Sequence, residues 1–500
     1  MIATVNYLPE VTRFLSQKPV KLFIGGKWVD ASEGGAFDVI DPGTGSTLAS
    51  VAEGKGSDID KAVASARQAF QNTGWPNMTP QERSVILHKL ADLVDKHLEP
   101  LAQLESLDVG KPLAQSTAGD IPTTSMTLRW FADLAVHTRL REPIGVSGFE
   151  SWQVRYPRGV AAFILPWNFP FLLLGWSFSP ALAAGNAVVL KPAENTPLSS
   201  LYFCQLCEEA GIPPGIVNVV PGYGEEAGLA LTRNPQINHM GFTGSPEVGK
   251  LVAESCGRNL VPTKLELGGK GAAVIFDDVD IDNVADQLVS AVTLNSGQVC
   301  CTATRWLVHK SIHDKLIDRA VAKMEAVKIG HGIANETEMG PVVSEVQLKR
   351  VLSYLDKGKA EGATTLLEGG VATVADSPNG YYVKPGLLGG DPQNVCAREE
   401  IFGPVAYVMP FNDEEEAVNL VNMSNYGLAN SVWSNNLDRA KSVAERLVAA
   451  NSWINGHNLF PIGIPYGGCN LSGMGGGVNS PETLLDYLRP QSFVRVLDDE

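Results

Sequence analysis

No run of basic residues interrupts this sequence, and 39 Lys and Arg stand against 55 Asp and Glu, a formal charge of −16. Binding to a phosphate backbone or an anionic membrane surface draws on clustered cations. Nucleic-acid and membrane partners are therefore disfavoured. Cysteine is scarce as well, seven residues thinly spread over 500. An odd, dispersed set does not read as a disulfide framework and implies a reducing, cytoplasmic setting. The opening segment MIATVNYLPEVTRFLSQKP lacks a basic region leading into an apolar one and carries only one Arg beside Glu10, so neither a secretory nor a mitochondrial leader is expected. A continuous apolar span is missing too. From Gly159 to Leu190, 32 residues carry no charge, but Pro166, Pro170, Pro180, Asn168 and Asn186 break the stretch. A spanning helix needs ~20 continuous apolar residues, so this segment reads as two buried strands around a buried helix. Metal-ligand patterns also fail. Cys204-Gln205-Leu206-Cys207 has no second CxxC and lies in an amphipathic helix, and His309 and His313 lack the Glu of a zincin motif. No metal site is expected.

What is present is a globular composition, 44% hydrophobic with a mean hydropathy of +0.01, in a chain long enough for two or three domains. The N-terminal third carries helix signals. Ser57-Asp58-Ile59-Asp60 reads as a capping box ahead of Ile59, Val63, Ala66 and Phe70 on one face; Thr79-Pro80-Gln81-Glu82 opens a second helix through Leu87, Leu90 and Val94. Between about 135 and 157, alternation around a glycine predicts a projecting hairpin. Short apolar runs follow at 160–165, 187–190, 217–220, 239–243 and 264–267, separated by helix-length segments, and a second series starts at 272–276 and 305–309. Such alternation predicts βαβ units and parallel sheets covered on both faces. The fold class is α/β, two doubly wound domains dividing near 266–271.

Several motifs bear on chemistry. Gly244-Ser245-Pro246-Glu247-Val248-Gly249-Lys250 nearly matches a triphosphate loop, but Leu251 stands where Ser or Thr holds Mg²⁺, so a nucleoside triphosphatase is disfavoured. As a strand-to-helix turn it still offers free N–H groups to a pyrophosphate. The GxGxxG fingerprint is missing, since Gly222-Tyr223-Gly224 is followed by two glutamates, so a dinucleotide site here is not of the standard kind. Asn295-Ser296-Gly297-Gln298-Val299-Cys300-Cys301 places a thiol after a glycine turn. Glu266 ends a predicted strand, and Asn168 in Pro166-Trp167-Asn168-Phe169-Pro170 follows another. Thiol nucleophile, carboxylate base and amide donor together form a thioester-forming constellation.

On these segments the sequence resembles the NAD(P)-dependent aldehyde dehydrogenases. LFIGGKWVD, IDPGTG, PWNFP, KPAENTP, FTGSPEVG, LELGGK, NSGQVCC, EEIFGPV and PYGG occur in family order from about Lys21 to about Val496. The resemblance implies that Cys300 is the nucleophile, Glu266 the general base and Asn168 the oxyanion amide. It implies cofactor contacts at Trp167, Lys191, Glu194, Gly244, Ser245, Gly249, Glu400 and Phe402. Glu194, facing the adenine ribose, favours NAD over NADP because a carboxylate repels a 2′-phosphate. Glu266 favours hydrolysis over transfer of the acyl group to coenzyme A. Two positions depart from the family pattern: Thr302 follows the cysteine pair, and Gly475-Gly476-Gly477 replaces the usual Gly-Arg-Glu.

The substrate tunnel implied by resemblance is lined by Phe169, Trp176, His457, Phe460 and Tyr466, which suits apolar or aromatic aldehydes. Betaine aldehyde or an aminoaldehyde, held by cation–π attraction, is the alternative. A non-enzymatic protein on the same fold would be expected to have lost Cys300 or Glu266, and both are present. The resemblance also implies a homodimer or homotetramer. The expected division is a cofactor-binding domain of 1–134 and 158–267, an oligomerisation element of 135–157 and 485–500, and a catalytic domain of 268–484.

Overall fold

The computed structural model describes residues 7–497; the first six residues of the opening segment and the last three of the expected oligomerisation element lie outside the described residues. The uncharged stretch folds as strand Val160–Ile164, helix Pro170–Ala183 and strand Ala187–Lys191, and both strands lie inside a sheet. Their residues are almost all buried, as expected of a parallel sheet covered on both faces. This first sheet has eight strands. Val160–Ile164 sits at its centre, with Ala187–Lys191 and Val217–Val219 on one side and His239–Thr243 and Thr263–Glu266 on the other. The chain therefore reverses its direction of winding between Val160–Ile164 and His239–Thr243. In an open α/β sheet the crevice beyond the carboxyl ends of two such strands is where ligands bind. What leaves those two ends is Pro166-Trp167-Asn168 and Gly244-Ser245.

The second sheet has seven strands, again doubly wound. Gly271–Ile275 is flanked by Ala303–His309, Val405–Phe411 and Gly386–Gly389 on one side and by Ala429–Trp433 and Asn451–Ile454 on the other. The two sheets differ from the purely parallel arrangement at their edges. Leu22–Ile24, Lys27–Val29 and Gly473–Met474 join the first sheet antiparallel, and Thr364–Leu367 joins the second in the same sense. Leu22–Ile24 and Lys27–Val29 form a hairpin in a region expected to be helical. Gly25 and Gly26 supply its two left-handed turn positions, at φ +67° and +72°. The predicted hairpin near residue 148 is present as Arg141–Pro143 and Phe149–Pro157, and Leu488–Val496 adds a third antiparallel strand.

The second helix box is built as read: Thr79 N–H donates to the Glu82 carboxylate at 2.7 Å, and Glu82 N–H donates to Thr79 Oγ1 at 3.2 Å. The first begins earlier than the sequence pattern indicates. The helix runs Gly56–Asn72, Ser57 is exposed, and the capping carboxylate is Asp58 rather than Asp60. Asp58 accepts the Lys55 N–H at 3.1 Å, the Ser32 N–H at 3.1 Å and the Ser32 hydroxyl. Burial decides between the two readings, because Asp58 ties the helix to the 30–34 loop and Ser57 touches nothing of the kind. Among the described residues no helix is long and apolar enough to cross a membrane.

Asp58→Ala removes the acceptor of three hydrogen bonds at the start of the helix and is expected to destabilise the protein by about 1–2 kcal/mol, whereas Ser57→Ala changes stability by less than about 0.5 kcal/mol. Urea unfolding midpoints of the two variants check this, and equal midpoints would return the cap to Ser57.

Candidate active site

The crevice at the winding reversal is a cavity of about 560 Å³ lined by Trp167, Asn168, Gly244, Ser245, Cys300, Glu400 and Phe402, among others. Seven of the residues singled out in the sequence thus meet in one place, although they span more than two hundred positions.

Cys300 lies between the turn Leu294–Gly297 and strand Ala303–His309. Three successive residues of that turn, Asn295, Ser296 and Gly297, have left-handed backbones at φ +46°, +56° and +73°. Asn and Ser pay for that conformation in strain, so neighbours must fix them. Asn295 Nδ2 donates to the Asn168 carbonyl at 2.8 Å, Ser296 Oγ donates to the Gly340 carbonyl at 2.7 Å, and Gln298 Oε1 accepts the Val343 N–H at 2.9 Å. Asn168 Nδ2 donates in turn to the Gln298 carbonyl at 3.0 Å. An amide nitrogen has two protons, so this bond orients Asn168 and leaves its second N–H for another acceptor.

The thiol has two polar neighbours. The adjoining Cys301 thiol first, and then the Tyr466 hydroxyl at 3.3 Å, hold Cys300 below the ordinary thiol value in spite of burial. Glu266 ends strand Thr263–Glu266 and is buried, with neither carboxylate oxygen hydrogen-bonded. Burial, reinforced by the Cys300 sulfur, pushes its carboxyl well above the usual range; Lys264 opposes this. Lys264 itself donates to the Gly477 carbonyl and pairs with Asp486, both at 2.5 Å.

The expected cofactor residues fall into two groups. In the crevice, helix Pro246–Gly257 begins with Ser245 as its cap, Ser245 Oγ accepting the Val248 N–H at 3.3 Å. Side chains are excluded here: a β-carbon on Gly244 would lie 2.5 Å from the Phe242 ring, and one on Gly249 would lie 2.6 Å from Leu267 Cδ2. The backbone is thereby open to close approach, as a pyrophosphate requires. Glu400 accepts the Gly269 N–H at 2.8 Å and is pushed up to about 7 by burial. Phe402, left-handed at φ +63°, meets Trp167 edge-on with ring centroids 5.2 Å apart. Lys191 and Glu194 lie further out. Lys191 Nζ donates to the Gly222 carbonyl at 2.6 Å and stands 3.5 Å from Glu194, whose side chain is about one-third exposed.

Of the five expected tunnel residues, four belong to one apolar cluster. Trp176, Phe460 and Tyr466 pack in mutual ring contact with centroids 5.4–5.9 Å apart, and Phe169 joins the same cluster beside Cys300. His457 is placed differently. It is buried behind the nucleophile turn, with one ring nitrogen on the Cys301 carbonyl and the other on Ser431. Both nitrogens are consumed by the protein, and the ring packs against Trp453 rather than in the Trp176–Phe460–Tyr466 contact. Burial takes it down to about 4 and keeps it neutral.

The structure adds residues that the sequence did not single out. Gln347 donates to the Phe402 carbonyl at 2.6 Å and Arg350 to the Glu400 carbonyl at 2.7 Å, so helix Glu345–Ala360 holds that turn. Lys111, fully buried, pairs with Asp120 at 2.6 Å and Glu105 at 3.5 Å and lies 4.2 Å above the Phe169 ring. Glu105 accepts the Phe171 N–H at 3.0 Å. A buried ion cluster thus supports the segment that carries Asn168. None of these contacts has a local motif; apart from the pairing of Lys111 with Glu105 and Asp120, they join residues tens of positions apart.

A crevice lined by a thiol and an oriented amide, with a desolvated carboxylate beside the thiol, defines a class: an α/β enzyme with a cysteine nucleophile. A sequence profile described as the aldehyde dehydrogenase family matches residues 28–493. The mitochondrial aldehyde dehydrogenase of Homo sapiens is 40% identical over 94% of this chain and 90% of its own length. A mitochondrial benzaldehyde dehydrogenase of Antirrhinum majus is 39% identical over 95% of this chain and 89% of its own. Among solved structures, an NAD+ complex of aldehyde dehydrogenase from Bacillus cereus superposes with a TM-score of 0.95 at 39% identity, covering 99% of each chain. The chain belongs to the aldehyde dehydrogenase family.

Tyr466→Phe removes a donor to the thiolate, so the pH midpoint for alkylation of Cys300 by iodoacetamide is expected to move up. Because the thiolate is the reacting form, the variant is slower below the midpoint and matches the parent at high pH. An unmoved midpoint would remove the hydroxyl from the account of the lowered thiol.

Proposed function

We propose that this enzyme oxidises an aldehyde to its carboxylic acid with NAD, through a covalent thioester on Cys300. The observation that carries the reading is the pairing of a thiol held below its ordinary value with a buried, unbonded carboxylate beside the same crevice. The Cys300 thiolate adds to the carbonyl carbon, forming a C–S bond and an oxyanion. The free N–H of Asn168 and the Cys300 backbone N–H receive that oxyanion. One such donor is worth about 3–4 kcal/mol, so Asn168→Ala is expected to lower kcat by about 10²–10³-fold. The residues fit a dinucleotide: the side-chain-free turn at Gly244 and Gly249 for the pyrophosphate, Lys191 and Glu194 for one ribose, Glu400 and Phe402 for the other, and Trp167 at the ring end. NAD, when bound, supplies the two-electron acceptor for the carbon attached to Cys300. Glu266 takes a proton from the water that cleaves the thioester, and the acid departs as the Cys300 thiolate is restored.

The aromatic wall of Phe169, Trp176, Phe460 and Tyr466 favours apolar or aromatic aldehydes, and the similarity to a benzaldehyde dehydrogenase supports that class. Initial rates over a panel of aliphatic, aromatic, quaternary-ammonium and amino aldehydes test it. A preference for betaine aldehyde would move the assignment to the cationic class. The domain division at 267–268, a cytoplasmic location and a homo-oligomer are part of the same reading. The three-stranded sheet of Arg141–Pro143, Phe149–Pro157 and Leu488–Val496, with Val494 and Val496 exposed, is the surface through which copies would meet. Light scattering after size-exclusion chromatography is expected to give a dimer or tetramer, and a monomer would refute it.

Two kinetic experiments separate the roles. Glu266→Gln is expected to give a rapid first turnover of NADH followed by a steady rate lowered by about 10²–10⁴-fold, because acylation survives and hydrolysis fails; loss of the first turnover would place Glu266 elsewhere. A base is active deprotonated, so thioester hydrolysis by the parent is expected to fall as pH drops through the raised Glu266 value. Glu194→Gln is expected to raise the NADP-to-NAD ratio of kcat/KM by about tenfold or more, since a carboxylate facing a phosphate is a like-charge contact of several kcal/mol. An unchanged ratio would detach Glu194 from cofactor choice.

A further inference from the structure

We propose that His457 is a positioning residue for the nucleophile, holding the Cys300-Cys301 pair in the orientation that turns Cys300, and not Cys301, to the crevice. The inference rests on the assignment of Cys300 as nucleophile. Two adjacent thiols make the orientation a real constraint, since a modest rotation of the intervening backbone would exchange which sulfur faces the substrate.

The geometry fixes the hydrogen bonds in one direction. The Cys301 carbonyl lies 2.8 Å from His457 Nε2 and accepts only, so Nε2 carries the proton. In a neutral ring Nδ1 is then an acceptor, and it takes the Ser431 hydroxyl at 2.9 Å. Ser431 Oγ is itself held by the Trp433 indole N–H at 2.9 Å. The chain from Trp433 through Ser431 and His457 to Cys301 is complete, with every donor matched to an acceptor. It ties the nucleophile turn to the buried strand Ala429–Trp433.

The neighbouring loop acts on the same residue. Asn458 Oδ1 lies 3.4 Å from Cys301 Sγ, so consecutive residues of this loop stand against the carbonyl and the sulfur of Cys301. Asn455 and Asn458 are left-handed, at φ +51° and +56°, which is a strained shape for a loop. The shape is imposed by Asn455, whose amide accepts the Ser434 N–H at 2.9 Å and donates to the Ser434 carbonyl at 3.0 Å. The His457 ring is further fixed by the edge of Trp453, 4.8 Å away. Cys301 is fully buried, and burial pushes its thiol well above the ordinary value. Held in place, it is the unreactive member of the pair.

His457→Phe keeps an aromatic ring against Trp453 and removes both nitrogens; His457→Gln restores a donor within reach of the carbonyl. The measurements are kcat, KM for NAD, and the site of iodoacetamide labelling mapped by peptide mass. His457→Phe is expected to lower kcat by about 10²-fold, the effect of a roughly 1 Å misplacement. KM for NAD should be unchanged, and label should appear on Cys301 as well as Cys300. His457→Gln is expected to recover most of the rate and confine the label to Cys300. Parent-like kcat with label on Cys300 alone in His457→Phe would overturn the proposal. So would equal losses in both variants without a change of labelling, which is the mark of a merely structural residue. If His457→Phe does not fold, Ser431→Ala, which frees the tautomer but keeps the imidazole, carries the same readouts, and parent-like behaviour there overturns it equally. Cys300→Ala separates the two readings: full activity in that variant would sink the assignment of the nucleophile whatever His457 does.

Discussion

A carboxylate buried without a single hydrogen-bond partner is the constraint on which the rest of the site depends. Burying an ionised group unpaired is costly enough that the group takes up a proton instead, and Glu266 is pushed in that direction. Its surroundings are arranged to leave it unpaired. Gly467 approaches it where a side chain would intrude: a β-carbon on Gly467 would lie 3.2 Å from Glu266 Oε1 and 2.6 Å from the Gly477 Cα. Lys264, two residues earlier on the same face of the strand, is drawn off by Asp486 and the Gly477 carbonyl instead of neutralising Glu266 directly. The two positions of the glycine triplet that depart from the family pattern have local reasons. Gly476 is left-handed at φ +81°, and Gly477 abuts the Tyr466 backbone beside the thiol's own hydroxyl partner.

The nucleophile is governed by the opposite means. Glu266 is left alone, whereas the turn that carries Cys300 is strapped from every side. Asn168, Gly340 and Val343 bind its two strained residues, Asn295 and Ser296, and Gln298, and His457 binds the residue after the thiol. Strained backbone persists only where the surroundings over-determine it. The straps come from loops that leave strands of both sheets and from the 340–343 segment, so the geometry of one sulfur depends on how both sheets are packed.

Legibility in the sequence followed the range of the interactions. Strands inside the parallel sheets were readable because burial on both faces makes them continuous apolar runs, as at 160–165 and 239–243. The Thr79 box was readable because its bonds close within four residues. The Asp58 cap was misplaced because a distant loop, not the local pattern, selects which carboxylate is buried. The Leu22–Val29 hairpin did carry a signal, the Gly-Gly pair between LFI and KWV, but each strand is too short for its alternation to register. His457 marks the limit. Nothing in Asn455–Phe460 distinguishes a ring that faces a tunnel from one that faces a backbone carbonyl, since Ser431 and Cys301 are its neighbours only in space.

The position of the crevice follows from how the two sheets are joined. Strand Thr263–Glu266 ends where the first sheet presents its carboxyl ends, and Gly271–Ile275 begins the second sheet four residues later. Ala303–His309 runs parallel to Gly271–Ile275, so Cys300, just before it, must also lie at the amino end of the second sheet. A short linker therefore brings the last residue of one sheet and the residue preceding a strand of the other to the same level. The linker has room for no side chain at its centre: a β-carbon on Gly268 would collide with the Glu400 carboxylate and one on Gly269 with the Cys300 carbonyl. Carboxylate and thiol are neighbours because the chain crosses between sheets in four residues, and the LELGGK segment is the part of the sequence that makes that crossing possible.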